Sequence, residues 1–82
     1  MRATLSQIEA LYWIARLGSF RAAAGKLGLT QPSISLRIRG LEEALGFRLF
    51  DRVGRQVRLS EGGGALFPLA KRMMDLAEQV ST

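Results

Sequence analysis

Residues 29–46 read LTQPSISLRIRGLEEALG, and the two sides of this stretch ask for different surroundings. Ile34, Ile38, Leu41 and Leu45 recur at helical spacing, within about 40° of one another on a helical wheel, and call for burial. The opposite side carries Pro32, Ser35, Leu36 and Arg39. Those side chains are too short and too apolar for an ordinary solvated face. Thr30 is suited to cap the helix, and Pro32 falls in the first turn, where a missing N–H costs nothing. Gly46 is placed to end it.

Upstream, Gly28-Leu29 is a very short connection to a second helix. Ser19 is its expected cap; Phe20, Ala23, Ala24 and Leu27 form its buried side. A first helix runs before it, with Ile8, Leu11, Tyr12 and Ala15 at helical spacing and Gly18 as its stop. Ser6 and Glu9 fit a capping box at its start. Downstream, Leu49 to Arg52 and Gln56 to Leu59 are β-favourable segments around Val53-Gly54-Arg55, the pattern of a small hairpin. Ser60 offers a cap for a long last helix. Gly62, Gly63 and Gly64 weaken its start, and Pro68 is expected to bend it or to free a carbonyl near Gly64.

The order helix, helix, short turn, helix, hairpin, helix predicts a mainly α chain. Its fold is a winged helix-turn-helix: a three-helix core with a small β-hairpin wing, followed by a long linker helix. The expected units are residues 1–59, the winged core, and 60–82, the last helix. In that helix Leu66, Leu69, Met73, Leu76 and Val80 follow the spacing of a coiled-coil seam, with Phe67, Ala70, Met74 and Ala77 as a second apolar row beside it. A domain this small has little interior to cover two rows, so the seam is expected to meet a second copy.

Charge narrows the function. The 82 residues carry a net charge of +5. Residues 10–41 contain five cations and no acid, while residues 61–82 hold two cations against three acids. The excess is therefore a property of the middle of the chain, and a polyanion is the matching partner. There is no histidine and no cysteine, no phosphate-binding loop and no convergent pair of carboxylates, which argues against an enzyme and against a metal or other cofactor. The apolar runs are far too short for a membrane span, and Glu9 interrupts any signal-peptide core, so a cytoplasmic location is expected.

On the recognition helix, 30–45, Gln31 can exchange hydrogen bonds with a base edge, Ser35 can pair with either kind of group, and Pro32 and Leu36 can touch thymine methyls. Ser19, Arg21, Thr30 and Arg39 are expected at phosphates, and Arg52 and Arg55 on the wing, 49–59, at the backbone or in a minor groove. Arg16, Lys26 and Arg48 contribute only to the general positive field. Structural alternatives stand beside these roles. Arg37 suits a salt bridge as well as a phosphate, Arg52 suits a bridge to Glu42 or Glu43, and Glu42 suits an internal salt bridge. A winged-helix protein-interaction module, using the apolar last helix, is the competing function.

The motifs themselves resemble the N-terminal DNA-binding domain of LysR-type transcriptional regulators, over nearly the whole chain. The carriers are Gly18-Ser19-Phe20, Ala23-Ala24, Leu27 through Ser35, Ile38, Leu41-Glu42, Leu45-Gly46, Leu49 through Arg52, and Arg58-Leu59-Ser60. The resemblance implies a bacterial transcription factor that binds an interrupted palindrome in duplex DNA. It further implies a homodimer through the last helix, a tetramer in the full-length protein, and a small-molecule effector bound by a C-terminal domain outside these residues. Two positions depart from the family pattern. Gly62 stands where Ala is common, which suggests a looser helix start. Leu36 stands where a polar or basic side chain is frequent.

Overall fold

Helix α1, Leu5–Leu17, begins earlier than the Ser6 cap predicts. Thr4 is the N-cap: its hydroxyl accepts the Gln7 N–H at 3.2 Å, and the Gln7 side chain accepts the Thr4 N–H at 3.0 Å. The capping box is thus Thr4–Gln7 rather than Ser6–Glu9. The displaced pair has other partners. The Ser6 carbonyl and the Glu9 carboxylate both accept from Arg37 of α3, at 3.2 and 3.4 Å, and so tie the two helices together.

The computed structural model describes residues 2–81, so residues 1 and 82, the outer bounds of the two expected units, lie outside the described residues. Helices α2, Phe20–Leu27, and α3, Gln31–Leu45, follow with the caps their sequences offer. Ser19 accepts the Ala22 N–H at 2.9 Å, and Thr30 accepts the Ser33 N–H at 3.2 Å. Gly46 closes α3 at φ 84°, a left-handed conformation that only glycine adopts without strain. Strands β1, Phe50–Val53, and β2, Gln56–Leu59, pair antiparallel with Val53 opposite Gln56. The hairpin turn is therefore the two residues Gly54-Arg55, with Gly54 at φ 63°. Helix α4, Glu61–Ser81, runs unbroken through Pro68.

Helix α1 packs against α2, α3 and α4, and the core forms where they meet. Leu11, Ile14, Ile34 and Leu41 are wholly buried, as is Leu49, which arrives from the connection into β1. The expected stripes of α1, α2 and α3 are all inside or half inside. On α1 the burial extends beyond the expected stripe to Ala10 and Ile14.

Leu49 is the point where the elements are joined. Its N–H donates to the Glu42 carboxylate at 2.8 Å, and its carbonyl accepts the Ser60 N–H at 2.8 Å. Glu42 thus serves a backbone amide in place of the expected internal salt bridge. Among the described residues Arg52 bridges neither Glu42 nor Glu43. The start of α4 lies directly on this junction. A Cβ on Gly63 would collide with the Leu49 carbonyl, and one on Gly62 would stand 2.5 Å from the Phe47 ring. At Gly62 the absent side chain leaves space that the Phe47 ring occupies, a packing reason for the departure from Ala.

The two rows of α4 part company. Ala70 is fully buried, Met74 is packed against the core, and Phe67 stacks on Tyr12 with ring centroids 5.8 Å apart. In the expected seam, Leu66 is also packed against the core, whereas Leu69, Met73, Leu76 and Val80 are exposed. The core therefore continues across the 59/60 boundary into α4.

Candidate nucleic-acid interface

The outward face of α3 is shaped by what holds its inward face. Ile34 and Ile38 are anchored, so Gln31, Pro32, Ser35, Leu36 and Arg39 are turned out, and all five are exposed. Leu36 retains 65% of its surface. One flank of the helix is closed by α1: a Cβ on Gly40 would lie 2.7 Å from Gln7 Nε2, so the Gln7 side chain lies directly over the glycine.

Two shallow grooves border this face. The first is lined by Ser19 and Arg21 at the start of α2, Gln31 at the start of α3, and Arg52, Arg55 and Val57 of the wing, with Phe20 beneath. Phe20 and Phe50 form an edge-on pair with ring centroids 5.7 Å apart, which brings the hairpin to α2. The second runs between α3 and the wing and includes Ser35, Arg39, Glu42, Arg48 and Arg52. Arg52 is common to both. Of the expected contact residues, the structure thus gathers Ser19, Arg21, Gln31, Ser35, Arg39, Arg52 and Arg55 around one concave, cationic side. Pro32 and Leu36 stand on the α3 ridge beside it.

The hydroxyls differ in what they have left to offer. Ser19 accepts a backbone N–H and keeps its own proton for an acceptor such as a phosphate oxygen. The Thr30 hydroxyl accepts from the Ser33 N–H and donates to the Ser33 Oγ at 2.9 Å, so both its roles are used within the cap. Arg37 is spent on Glu9 and Ser6 and is absent from the lining of both grooves.

Arg48 has a more definite place than the general positive field: it lines the second groove. The signal that could have found it is its position directly before the buried Leu49, in the short connection between α3 and β1. Arg16 and Lys26 take another role: both sit over the Trp13 ring, at 5.2 and 4.6 Å from its centroid. No helix among the described residues is long and apolar enough to cross a membrane, and no cluster there has the makings of a metal site.

Known proteins share this arrangement. The chain is 49% identical over 74 residues to an uncharacterized HTH-type transcriptional regulator of Azotobacter vinelandii, covering 90% of this chain and 51% of the relative. It is 40% identical to the transcriptional activator CmpR of a Synechocystis strain, covering 95% of this chain and 26% of that one. The chain therefore spans between a quarter and a half of the length of these relatives. Among solved structures, OxyR of Corynebacterium glutamicum superposes with a TM-score of 0.93 at 39% identity, over 98% of this chain and 26% of that one. The CbnR DBD–DNA complex superposes with a TM-score of 0.85 at 31% identity, over 95% of this chain and 90% of that one. The family described as bacterial regulatory helix-turn-helix protein, lysR family, matches residues 5–64. With about three quarters of its length inside that match, the chain belongs to the lysR family of bacterial regulatory helix-turn-helix proteins.

Proposed function

We propose that this chain is the sequence-specific duplex-DNA-binding part of a cytoplasmic, non-enzymatic transcription regulator. The N-terminal half of α3 enters the major groove, with Gln31, Pro32, Ser35 and Leu36 at base edges. Ser19, Arg21 and Arg39 take phosphates, joined by Arg48. Thr30 supports the reading turn as its cap. Arg52 and Arg55 bring the wing to the backbone or a minor groove. Residues 60–82 serve as linker and pairing helix, through Leu69, Met73, Leu76 and Val80 with Leu66 at the margin. Two copies paired in this way match an interrupted palindrome.

The observation that carries this reading is the single groove in which the starts of α2 and α3 and the tip of the wing converge, lined by Ser19, Arg21, Gln31, Arg52 and Arg55. Two neighbouring helix starts and wing residues more than 20 positions further on supply one cationic concavity beside a helix face of short side chains. That is the shape a duplex requires, with backbone on both sides and base edges between.

Selection of a preferred site from a random duplex pool, followed by titration at fixed salt, tests it. The combined Gln31→Ala and Ser35→Ala variant should lose discrimination between selected and scrambled duplex while keeping most non-specific affinity. Arg55→Ala should weaken both duplexes alike and flatten the fall of log K with log salt by about 0.9 for each phosphate that is no longer neutralised. Equal binding of the unaltered protein to selected and scrambled duplex would sink the reading. Failure to bind any duplex at low salt would favour a protein-interaction module instead.

A further inference from the structure

Leu36 is an apolar side chain that the fold does not use. It is 65% exposed and lies outside both the hydrophobic core and the set of half-buried residues packed on it. Its neighbours one turn away along α3 are Ser33 and Gly40, which are short, Pro32, which is exposed, and Arg39, whose guanidinium belongs to the groove. The Ser33 hydroxyl is held by Thr30, and the Gly40 flank is closed against Gln7. What projects from this part of the ridge is thus an apolar strip of two residues, Pro32 and Leu36, one turn apart. Neither side chain has a hydrogen-bonding group, and Pro32 has no N–H.

Resting on the DNA-binding reading above, we propose that this strip recognises the C5-methyl group of thymine and that Leu36 is the residue that sets the preference. The chemistry is restrictive. Of the substituents the four bases display in the major groove, the thymine methyl alone is apolar. A leucine placed against a cytosine amine or a guanine carbonyl would strip water from a polar group and return no hydrogen bond. Placed against a methyl, it removes two apolar surfaces from water together. Gln31 and Ser35 lie beside the strip and read polar edges, so a methyl contact supplies information that those two do not.

The test removes one methyl at a time. In the duplex selected from a random pool, each thymine is replaced in turn by deoxyuridine, which pairs identically and lacks only the C5-methyl. One thymine per half-site should respond, with affinity falling about fourfold, the effect of one buried methyl-sized group. Replacing it in both half-sites should weaken binding about sixteenfold if the two contacts add. With Leu36→Ala the same replacement should be silent, and the salt dependence of binding should be unchanged. A selected site in which no thymine responds overturns the inference, as does a thymine–uracil preference that survives Leu36→Ala. In either case selective duplex binding itself would stand. Absence of any selective binding would instead remove the reading on which the inference rests.

Discussion

Helices α3 and α4 both expose apolar side chains, and the difference between their exposed faces shows why exposure alone does not name a partner. On α3 a single leucine, Leu36, stands among a proline, a serine, a glycine and an arginine, next to a cationic groove. On α4, Leu69, Met73, Leu76 and Val80 form one continuous row over about three turns, with Val80 88% exposed. Charged groups beside that row are of both signs, including the Lys71–Asp75 pair at 3.2 Å. A lone apolar group in a polar, positive setting suits a polyanion whose bases carry isolated methyls. A continuous apolar row suits another such row.

The largest effect expected from probing this contrast lies in the inward side of α3. Ile34→Ala should cost about 2–5 kcal/mol in urea unfolding, because Ile34 is wholly buried, while Leu36→Ala should change stability by about 0.5 kcal/mol or less. Comparable costs at the two positions would break the division into a holding side and a reading side. Next comes the row on α4. Leu69→Asp with Leu76→Asp should raise the dimer dissociation constant about 100-fold or more by sedimentation, since each copy then buries charge where it buried leucine. The monomer should unfold as before. Unchanged association would place the pairing surface elsewhere. The smallest effect belongs to the tie between α1 and α3. Arg37→Ala should cost roughly 0.2–1 kcal/mol, given a partly exposed pair at 3.4 Å, and should leave the salt dependence of DNA binding untouched. A flatter salt dependence would move Arg37 into the DNA-facing set.

Much of this organisation was legible in the sequence, for a definite reason. The stripe Ile34, Ile38, Leu41 and Leu45, the caps Ser19 and Thr30, and the stop at Gly46 are all written within a few residues of where they act, so periodicity and local hydrogen bonding suffice. Features that depend on distant neighbours were not readable. Nothing adjacent to Gly62 or Gly63 announces Phe47 or the Leu49 carbonyl, and three glycines in a row read only as weakness. Glu42 looks like half of an ion pair until the chain returns Leu49 to it. The tie of Ser6 and Glu9 to Arg37 comes from another helix, and nothing near Ser6 announces it. In α4 the two apolar rows were visible, but which row the domain keeps for itself is decided by Tyr12 and the core, and Leu66 falls on the inner side.

The junction at Leu49 has a geometric consequence. The backbone of one residue is held from two directions, by Glu42 at the end of α3 and by Ser60, and Gly63 in the first turn of α4 lies close against its carbonyl. The direction in which α4 leaves the domain is thereby set relative to α3. In the proposed pair joined along α4, the two reading helices would be mounted like the jaws of a gauge. The spacing of the jaws would be set by this junction together with the α4 pairing, and a mismatch in spacing would be met by bending or twisting of the duplex. Binding strength should then follow the pliancy of the bases between the half-sites, which neither jaw touches.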